Sequence, residues 1–386
     1  MFSPSEKDHG GIFDIGGSAL GLRIRERLLA ALRSTDKGGR KPKLPAEILY
    51  DDEGLKLWGD IVNSKDFYQA ADEASLLRQN GEEIARLIRD SGAKEIVDIG
   101  AGHVPRLPHG PSLPVPGLGI IRDTRKVEFL LDVLEKTGGP VTYLMLDISR
   151  ASLQANLARQ VGMFPRPDCR TICLGLFGTF EDGQQCIGDR NAADDRPIPR
   201  IISSHGSVLC NDNEEAAKEH LKAWTAVLRP VDRMLIGMDG HAAKDEDQKR
   251  KIWLSYHPEN DLYKTFFDNG RNKLNKLLGD NIFTQENWDF HSELETEPTT
   301  RHRNWMAAKK DITCKATGSV IKAGQEFDWF DSHKYGPMSV QKMCSEVGLK
   351  VLKSWKSENS EFYLYWVGLY DAQFLEDTVS GVSSLG

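Results

Sequence analysis

The chain has 386 residues, 39% hydrophobic and 28% charged, with a formal net charge of −7. That length suits one large domain or two ordinary ones, and the composition is that of a globular protein. The acidic balance argues against a nucleic-acid carrier, which needs a basic face, and no apolar run reaches the roughly 20 residues of a membrane-spanning helix.

Residues 1–20 read as a loose tail. Their start, Met1-Phe-Ser-Pro-Ser-Glu-Lys-Asp8, lacks the charged-then-apolar plan of a secretory signal. Leu20–Leu32 carries apolar residues at helical spacing, and Leu76–Ser91 reads as a second amphipathic helix. Short apolar strands then recur with helices between them: Ile96–Ile99, Val141–Leu146, Thr171–Leu176, Ile201–Ser203 and Met234–Met238. Such alternation predicts an α/β fold with a doubly wound, Rossmann-like parallel sheet. Residues 240–340 are rich in Asp, Asn, Lys, Trp and Phe, alternate poorly and read as an inserted lobe; within them the charged run Lys244–Lys251 reads as a solvated helix start. Leu349–Trp355 and Glu361–Val367, separated by Lys-Ser-Glu-Asn-Ser, predict a closing β-hairpin. A parallel sheet ending in a hairpin is the layout of class I methyltransferases. Cys169, Cys173, Cys186, Cys210, Cys314 and Cys344 form no CxxC pair, so no metal is expected, and reduced thiols of a cytoplasmic protein are.

The most informative segment is Lys94-Glu-Ile-Val-Asp-Ile-Gly-Ala-Gly102, a buried strand running into a glycine turn. Glycines there let a backbone approach a ligand and aim a helix N-terminus at it. The helix that should follow, from Arg125, starts late. Residues 103–122 intervene, with Pro105, Pro108, Pro111 and Pro114 at every third place, a spacing that suits an extended polyproline segment. In such sheets a carboxylate about 20 residues past the glycines binds ribose hydroxyls. Asp147, at the end of a strand, lies about twice that far beyond Gly100. Excising 103–122 corrects both the late helix and the long spacing. Gly178-Thr-Phe-Glu-Asp-Gly183 follows the third strand, where an adenine ring usually lodges.

Val-Asp-Ile-Gly-Ala-Gly102, Asp123-Thr-Arg-Lys126, the run ending Asp147-Ile-Ser149, Gly178–Gly183, Ser203–Asp212, Trp288–Glu293 and Ser332-His-Lys-Tyr335 stand in an order that resembles the histidine-specific S-adenosylmethionine methyltransferase family. That family includes the histidine Nα-methyltransferase of ergothioneine biosynthesis and fungal 4-dimethylallyltryptophan N-methyltransferases. The likeness runs from about Leu44 to the C-terminus and implies methyl transfer to the α-amine of an amino acid. It implies a cofactor core of 76–239 and 341–386 and a substrate lobe of 240–340 joined by 1–75. It places Tyr50, Gly100, Gly102, Lys126 and Asp147 at S-adenosylmethionine, with Thr179 and Phe180 near its adenine. Tyr68, Asn211, Tyr256 and Ser332 fall on substrate positions, the last three with catalytic roles.

One position departs from the family pattern. Histidine-specific members carry a glutamate two residues before the Ser-x-Lys-aromatic run, where it can bind an imidazole N–H. Here that place is Phe330. A buried imidazole without its acceptor loses roughly 1–3 kcal/mol, whereas Phe330 beside Trp329 suits a flatter, apolar ring. The expected substrate is therefore an aromatic amino acid, with prenylated tryptophan as the example. Histidine stays open because Asp331 is adjacent. A cofactor-binding pseudoenzyme blocked by the 103–122 segment also stays open, as does a retained intron as that segment's origin. Core packing accounts equally well for Tyr68, Tyr256, Trp329 and Phe330 taken singly, and it suits His291 and His302 better than catalysis does. The expected partner is a small-molecule amino acid, with no nucleic acid or membrane, and the expected state is a monomer or homodimer.

Overall fold

A computed structural model describes residues 5–34, 41–101, 126–193, 198–257 and 261–370. Strands β1 (Ile12–Asp14), β2 (Glu95–Ile99), β3 (Thr142–Asp147), β4 (Ile172–Phe177), β5 (Arg200–Ser204) and β6 (Arg233–Asp239) run parallel. Strand β2 is buried along its whole length, as a parallel sheet covered on both faces requires. A second sheet belongs to β7 (Trp288–Glu295), β8 (Arg301–Ala308) and β11 (Glu326–His333), with β9 (Ile312–Cys314) and β10 (Ser319–Ile321) as a short separate pair. The chain returns to the first sheet through β12 (Leu349–Lys356) and β13 (Phe362–Leu369), giving the order β1-β4-β3-β2-β5-β6-β13-β12. Strand β13 is antiparallel to both β6 and β12, so the expected closing hairpin is present.

The helices are α1 (Leu20–Arg33), α2 (Asp52–Val62), α3 (Tyr68–Asp90), α4 (Lys126–Lys136), α5 (Arg150–Met163), α6 (Phe180–Ala193), α7 (Glu214–Thr225), α8 (Glu246–Tyr256), α9 (Leu262–Leu278) and α10 (Pro337–Glu346). Alternate strand residues face opposite sides of the large sheet. Ile96, Tyr143, Met145 and Ile201 meet Ile84, Leu130 and Leu153 of α3, α4 and α5. Val97, Leu144, Leu174 and Ile236 meet Ile187, Leu221, Trp224 and Met343 of α6, α7 and α10. A third core, in the second lobe, joins Leu28 of α1, Leu49, Ile61 of α2, Phe266 and Leu274 of α9, and Met306, Phe327 and Trp329 from the small sheet. Among the described residues no helix is long and apolar enough to cross a membrane.

Three sequence expectations are corrected. The supposed loose tail contains β1, whose Ile12, Phe13 and Asp14 align with Gly175, Leu176 and Phe177 of β4. Gly175 permits the approach, since a Cβ there would lie 3.1 Å from Ile12 Cγ1. A run this short has no readable alternation. Helix α3 starts at Tyr68 and not at Leu76, because its first turns bury Gln69 and Glu73, polar residues that hide the apolar stripe. The boundary drawn between residues 75 and 76 therefore falls inside a helix. Within 240–340 strand β8 does alternate regularly: His302, Asn304, Met306 and Ala308 are buried between partly exposed neighbours. Polar residues on its inner face and Trp305 on its outer face disguise the period. The charged run behaves as expected, with the Asp245 side chain accepting from Gln248 N–H at 2.8 Å to start α8.

Candidate active site

Strand order reverses between β2 and β5, and open α/β sheets bind ligands at the carboxyl edge of such a reversal. Gly100 stands there with φ 71°, a left-handed conformation that favours glycine. Its N–H donates to Leu146 O at 3.0 Å. A Cβ on Gly100 would lie 3.3 Å from Val208 Cγ1 and 3.6 Å from Phe180 Cζ, so Gly100, Phe180 and the loop after β5 meet at one point. Asp147 ends the neighbouring strand β3, 9% exposed, with Oδ1 accepting from Ser149 N–H at 2.7 Å. The Thr179 hydroxyl donates to Asp182 Oδ2 at 3.1 Å and accepts from Asp182 N–H at 3.3 Å, which caps α6 and aims Phe180 at the glycine turn. Arg23 fixes Asp182 from α1 through two bonds of 2.9 and 2.7 Å. A side-chain-free turn, a carboxylate and an aromatic ring on three adjacent strand ends suit a nucleoside cofactor. Gly102, the 103–122 segment and the Lys126 side chain lie outside the described residues.

At the end of β6 the Asp239 carboxylate gathers a buried polar network. Tyr68 O–H and Gln69 Nε2–H each donate to Oδ2 at 2.7 Å, and Lys334 Nζ lies 3.0 Å from the same oxygen. His241 donates to Oδ1 through its backbone N–H at 3.0 Å and its Nδ1 at 2.7 Å. Burial alone would raise the Asp239 carboxyl, but the Lys334 ammonium and the His241 bonds outweigh it and hold the carboxyl well below the usual range. Burial likewise disfavours the Lys334 ammonium, and Asp239 and Tyr256 overcome that to raise it.

The network has a fixed direction. An ammonium only donates, so Lys334 gives a hydrogen bond to Ser332 Oγ at 2.9 Å. Ser332 then gives its own proton to Tyr256 O at 2.6 Å. Tyr256 passes its proton on to Gln69 Oε1 at 3.3 Å and accepts from Gln69 Nε2–H at 3.1 Å. Tyr68 differs: its proton goes to Asp239, and its oxygen lone pairs remain for an acceptor's role. Tyr256 and Ser332 are thus brought together directly. Asn211 acts on their support, its Nδ2 donating to Asp331 O at 3.0 Å and its Oδ1 accepting from His333 N–H at 2.8 Å, one residue either side of Ser332.

Phe330 is buried, its ring 5.9 Å from Trp58 and 6.0 Å from both Tyr256 and Phe267. The Asp331 carboxylate is engaged elsewhere: Arg301 donates to Oδ1 at 2.7 and 3.0 Å, and Lys43 Nζ lies 3.3 Å from Oδ2. Tyr50 meets Trp58 and Phe266 edge-on at 5.7 Å each, so its ring contacts belong to the second lobe.

Sequence reasoning passed over Gln69, Asp239 and His241, and a further buried group on the loop after β5. There Glu73 accepts from Gly206 N–H at 2.9 Å and lies 3.2 Å from His205 Nδ1, while His205 Nε2 lies 2.6 Å from Ser203 Oγ. Ser207 in the same loop has φ 62°, a strained state for a residue with a Cβ. Its hydroxyl accepts from Asp239 N–H at 3.2 Å, which ties the loop to the Asp239 cluster. The available signals were Asp239 at a strand end and Lys334 inside Ser332-His-Lys-Tyr335; nothing in the sequence marked Gln69 or Glu73.

This strand order with its closing hairpin, and the glycine turn at its switch point, define a class I S-adenosylmethionine-dependent methyltransferase fold. The sequence profile of the histidine-specific, S-adenosylmethionine-dependent methyltransferases matches residues 24–369, and the chain belongs to that family. Among relatives, it is 28% identical over 349 residues to ergothioneine biosynthesis protein 1 of Neurospora crassa, covering 90% of this chain but 35% of that protein. It is 26% identical over 356 residues to the N-methyltransferase imqF of Aspergillus flavus, covering 91% of this chain and 86% of that one. It is 24% identical over 376 residues to the 4-dimethylallyltryptophan N-methyltransferase easF of Claviceps fusiformis, covering 92% and 94%. The chain therefore spans about a third of the ergothioneine protein and most of the other two.

Proposed function

We propose that this chain is an S-adenosylmethionine-dependent N-methyltransferase acting on the α-amine of an aromatic amino acid, with a prenylated tryptophan of fungal alkaloid biosynthesis as the fitting example. The imqF and easF relatives, which it matches over most of their length, carry N-methyltransferase names. The observation that carries the substrate class is the pair Phe330 and Asp331. The position that reads imidazole elsewhere in the family holds a ring set among Trp58, Tyr256 and Phe267, and the adjacent carboxylate is occupied by Arg301 and Lys43.

When bound, the cofactor supplies an electrophilic methyl group on a sulfonium. The protein's task is to hold a neutral amine in line with it. An α-amino group with a pKa near ~8 is partly neutral at pH 7, so the step needs little general-base help. Tyr256, polarised through Ser332 by Lys334, would turn its proton from Gln69 Oε1, 3.3 Å away, to the substrate carboxylate. Tyr68, its proton fixed on Asp239, offers an acceptor to the amine N–H and so turns the nitrogen lone pair outward. Asn211 holds β11 so that Ser332 stays in register. Asp147, Gly100, Thr179 and Phe180 would hold the cofactor's ribose and adenine, and the family likeness assigns Tyr50 to the same cofactor, while its ring contacts are with Trp58 and Phe266 of the lobe.

The test is a panel of tryptophan, 4-dimethylallyltryptophan, phenylalanine and histidine with labelled cofactor, run on the parent protein and on Phe330→Glu. The parent should prefer an indole substrate. Phe330→Glu places a charge against an apolar ring without a partner, so it should lower indole turnover at least tenfold while leaving cofactor affinity unchanged. A parent protein that prefers histidine over every indole overturns the aromatic assignment.

A further inference from the structure

A second carboxylate is buried beside the Asp239 network, one turn of α3 beyond Gln69. Glu73 is 0% exposed, and β6 makes room for it: a Cβ on Gly237 would overlap Glu73 Oε1. Burying a carboxylate is costly unless hydrogen bonds complete it, and Glu73 receives them from one short stretch of chain. Gly206 N–H donates to Oε2 at 2.9 Å and to Oε1 at 3.1 Å, and His205 Nδ1 lies 3.2 Å from Oε1. A carboxylate only accepts, so Nδ1 carries the ring proton and Nε2 accepts from Ser203 Oγ, 2.6 Å away. Serine, histidine and carboxylate stand here in the order of a hydrolytic triad, but Ser203 is 1% exposed within β5, so no substrate reaches its oxygen.

What the carboxylate grips is a strained turn. Gly206 and Ser207 are consecutive left-handed residues, with φ 72° and 62°, and a serine holds that state only where its surroundings impose it. From the other side, the Ser207 hydroxyl accepts from Asp239 N–H at 3.2 Å and donates to Met238 Sδ at 3.0 Å. The chain leaves this turn in contact with both halves of the site. Val208 Cγ1 would meet a Cβ on Gly100 at 3.3 Å, and Asn211 holds the residues flanking Ser332.

We propose that Glu73 is a positioning residue: by gripping Gly206 and His205 it sets the distance between the glycine turn at the cofactor end and the Ser332–Tyr256 network at the substrate end. The proposal rests on the methyl-transfer reading above and deepens it, naming what keeps the amine in line with the sulfonium. Such alignment is sensitive, since a misplacement of about 1 Å costs about a hundredfold in rate. The reach of the Glu73 hydrogen bonds therefore matters, and its charge does not.

Two substitutions in the full chain separate reach from charge. Glu73→Gln keeps the length and an oxygen for Gly206 N–H, and its amide donates to His205 Nδ1 once the ring proton moves to Nε2. Glu73→Asp keeps the charge and loses the reach. With whichever amino acid the parent methylates, Glu73→Asp should lower kcat at least about tenfold and Glu73→Gln less than about threefold. In both variants the Kd for S-adenosylmethionine and for the amino acid, each measured by calorimetry, should stay within about threefold, because each half of the site is intact on its own. Hydrogen exchange across 205–211 in the ligand-free protein should quicken in Glu73→Asp alone. Where Glu73→Asp does not fold, Ser207→Gly, which frees the turn and leaves Glu73 in place, must show the same fall in kcat at unchanged Kd. Glu73→Gln as slow as Glu73→Asp, an unmoved kcat in Glu73→Asp, or a loss in Kd instead of kcat overturns the proposal. A parent that methylates no amino acid overturns the functional reading and this inference with it. An active parent with the wrong pattern among its variants overturns this inference alone.

Discussion

Lys334 and Asp239 illustrate how a buried charge is tolerated. Neither side chain is more than 1% exposed, and an ion pair so deep survives only because hydrogen bonds from Tyr68, Gln69 and His241 complete it. Removing one partner leaves the other charge stranded. Lys334→Met should therefore cost about 3–5 kcal/mol of stability, measured by chemical denaturation, and adding Asp239→Asn should return most of it. Even the restored double variant should turn over poorly, since nothing then fixes the Ser332 proton on Tyr256. A Lys334→Met protein as stable as the parent would show that the pair is not coupled. The sequence displayed Lys334 within Ser332-His-Lys-Tyr335 but gave no hint of its partner. Only the pairing of β13 with β6 and the return of β11 beside them bring Asp239 to it.

At the scale of elements, what could be read from sequence followed physical simplicity. Strands β2 to β6 are covered on both faces, so each centres on a short apolar run, and all five were legible to within a residue or two. Strand β8 was not, because its inner face carries His302 and Asn304; their partners, Ile252 O at 2.8 Å and Phe330 O at 3.3 Å, lie on other elements. The site divided in the same way. Gly100 and Phe180 were expected near one ligand and are neighbours, whereas Tyr50, expected at the cofactor, finds its ring contacts among lobe aromatics. Helix α4 follows β2 as the first crossover of the sheet and seats Leu130, Leu131 and Leu134 in the core beside α3. Gly81 of α3 lets Phe129 approach to 2.5 Å of where a Cβ would stand. Connections of this kind need only about 2–6 residues. Deleting 103–122, which rejoins Gly102 to Asp123, should therefore preserve folding, tighten cofactor binding and raise turnover. Calorimetry and melting on the deletion variant decide this: a variant that fails to fold, while the full chain binds cofactor well, makes the segment part of the structure.

Across the whole molecule the two lobes share elements. Helix α3 starts against the second lobe's core through Phe67 and Ala70 and ends in the sheet's core through Ile84 and Ile88; β11 leads from the lobe sheet directly to Lys334 and α10. Two histidines sit along this junction, and both are held neutral. Burial, then the Lys334 cation, pushes His302 well below its ordinary value; burial, then Arg301, pushes His333 down to about 3. His257, lowered to about 4 by burial, acts in the same direction from the end of α8. In the unfolded chain these imidazoles take up protons near pH ~6.5. Between that value and their folded values the unfolded state binds more protons than the native one, so stability rises with pH and is lost as pH falls. Each fully buried histidine contributes about 1.4 kcal/mol per pH unit in this window, so His302 and His333 together should cost about 2–3 kcal/mol between pH 6 and 5. That is above the range where carboxylates of the unfolded chain begin to titrate, so the two effects separate. Denaturation midpoints measured from pH 7.5 to 5 should fall steadily below about pH 6.5, and His333→Gln, which removes one of the three contributors, should flatten the slope by about a third. Stability that stays level down to pH 5 would mean that the junction admits protonated imidazoles, and with them more water than the burial of His302 and His333 allows.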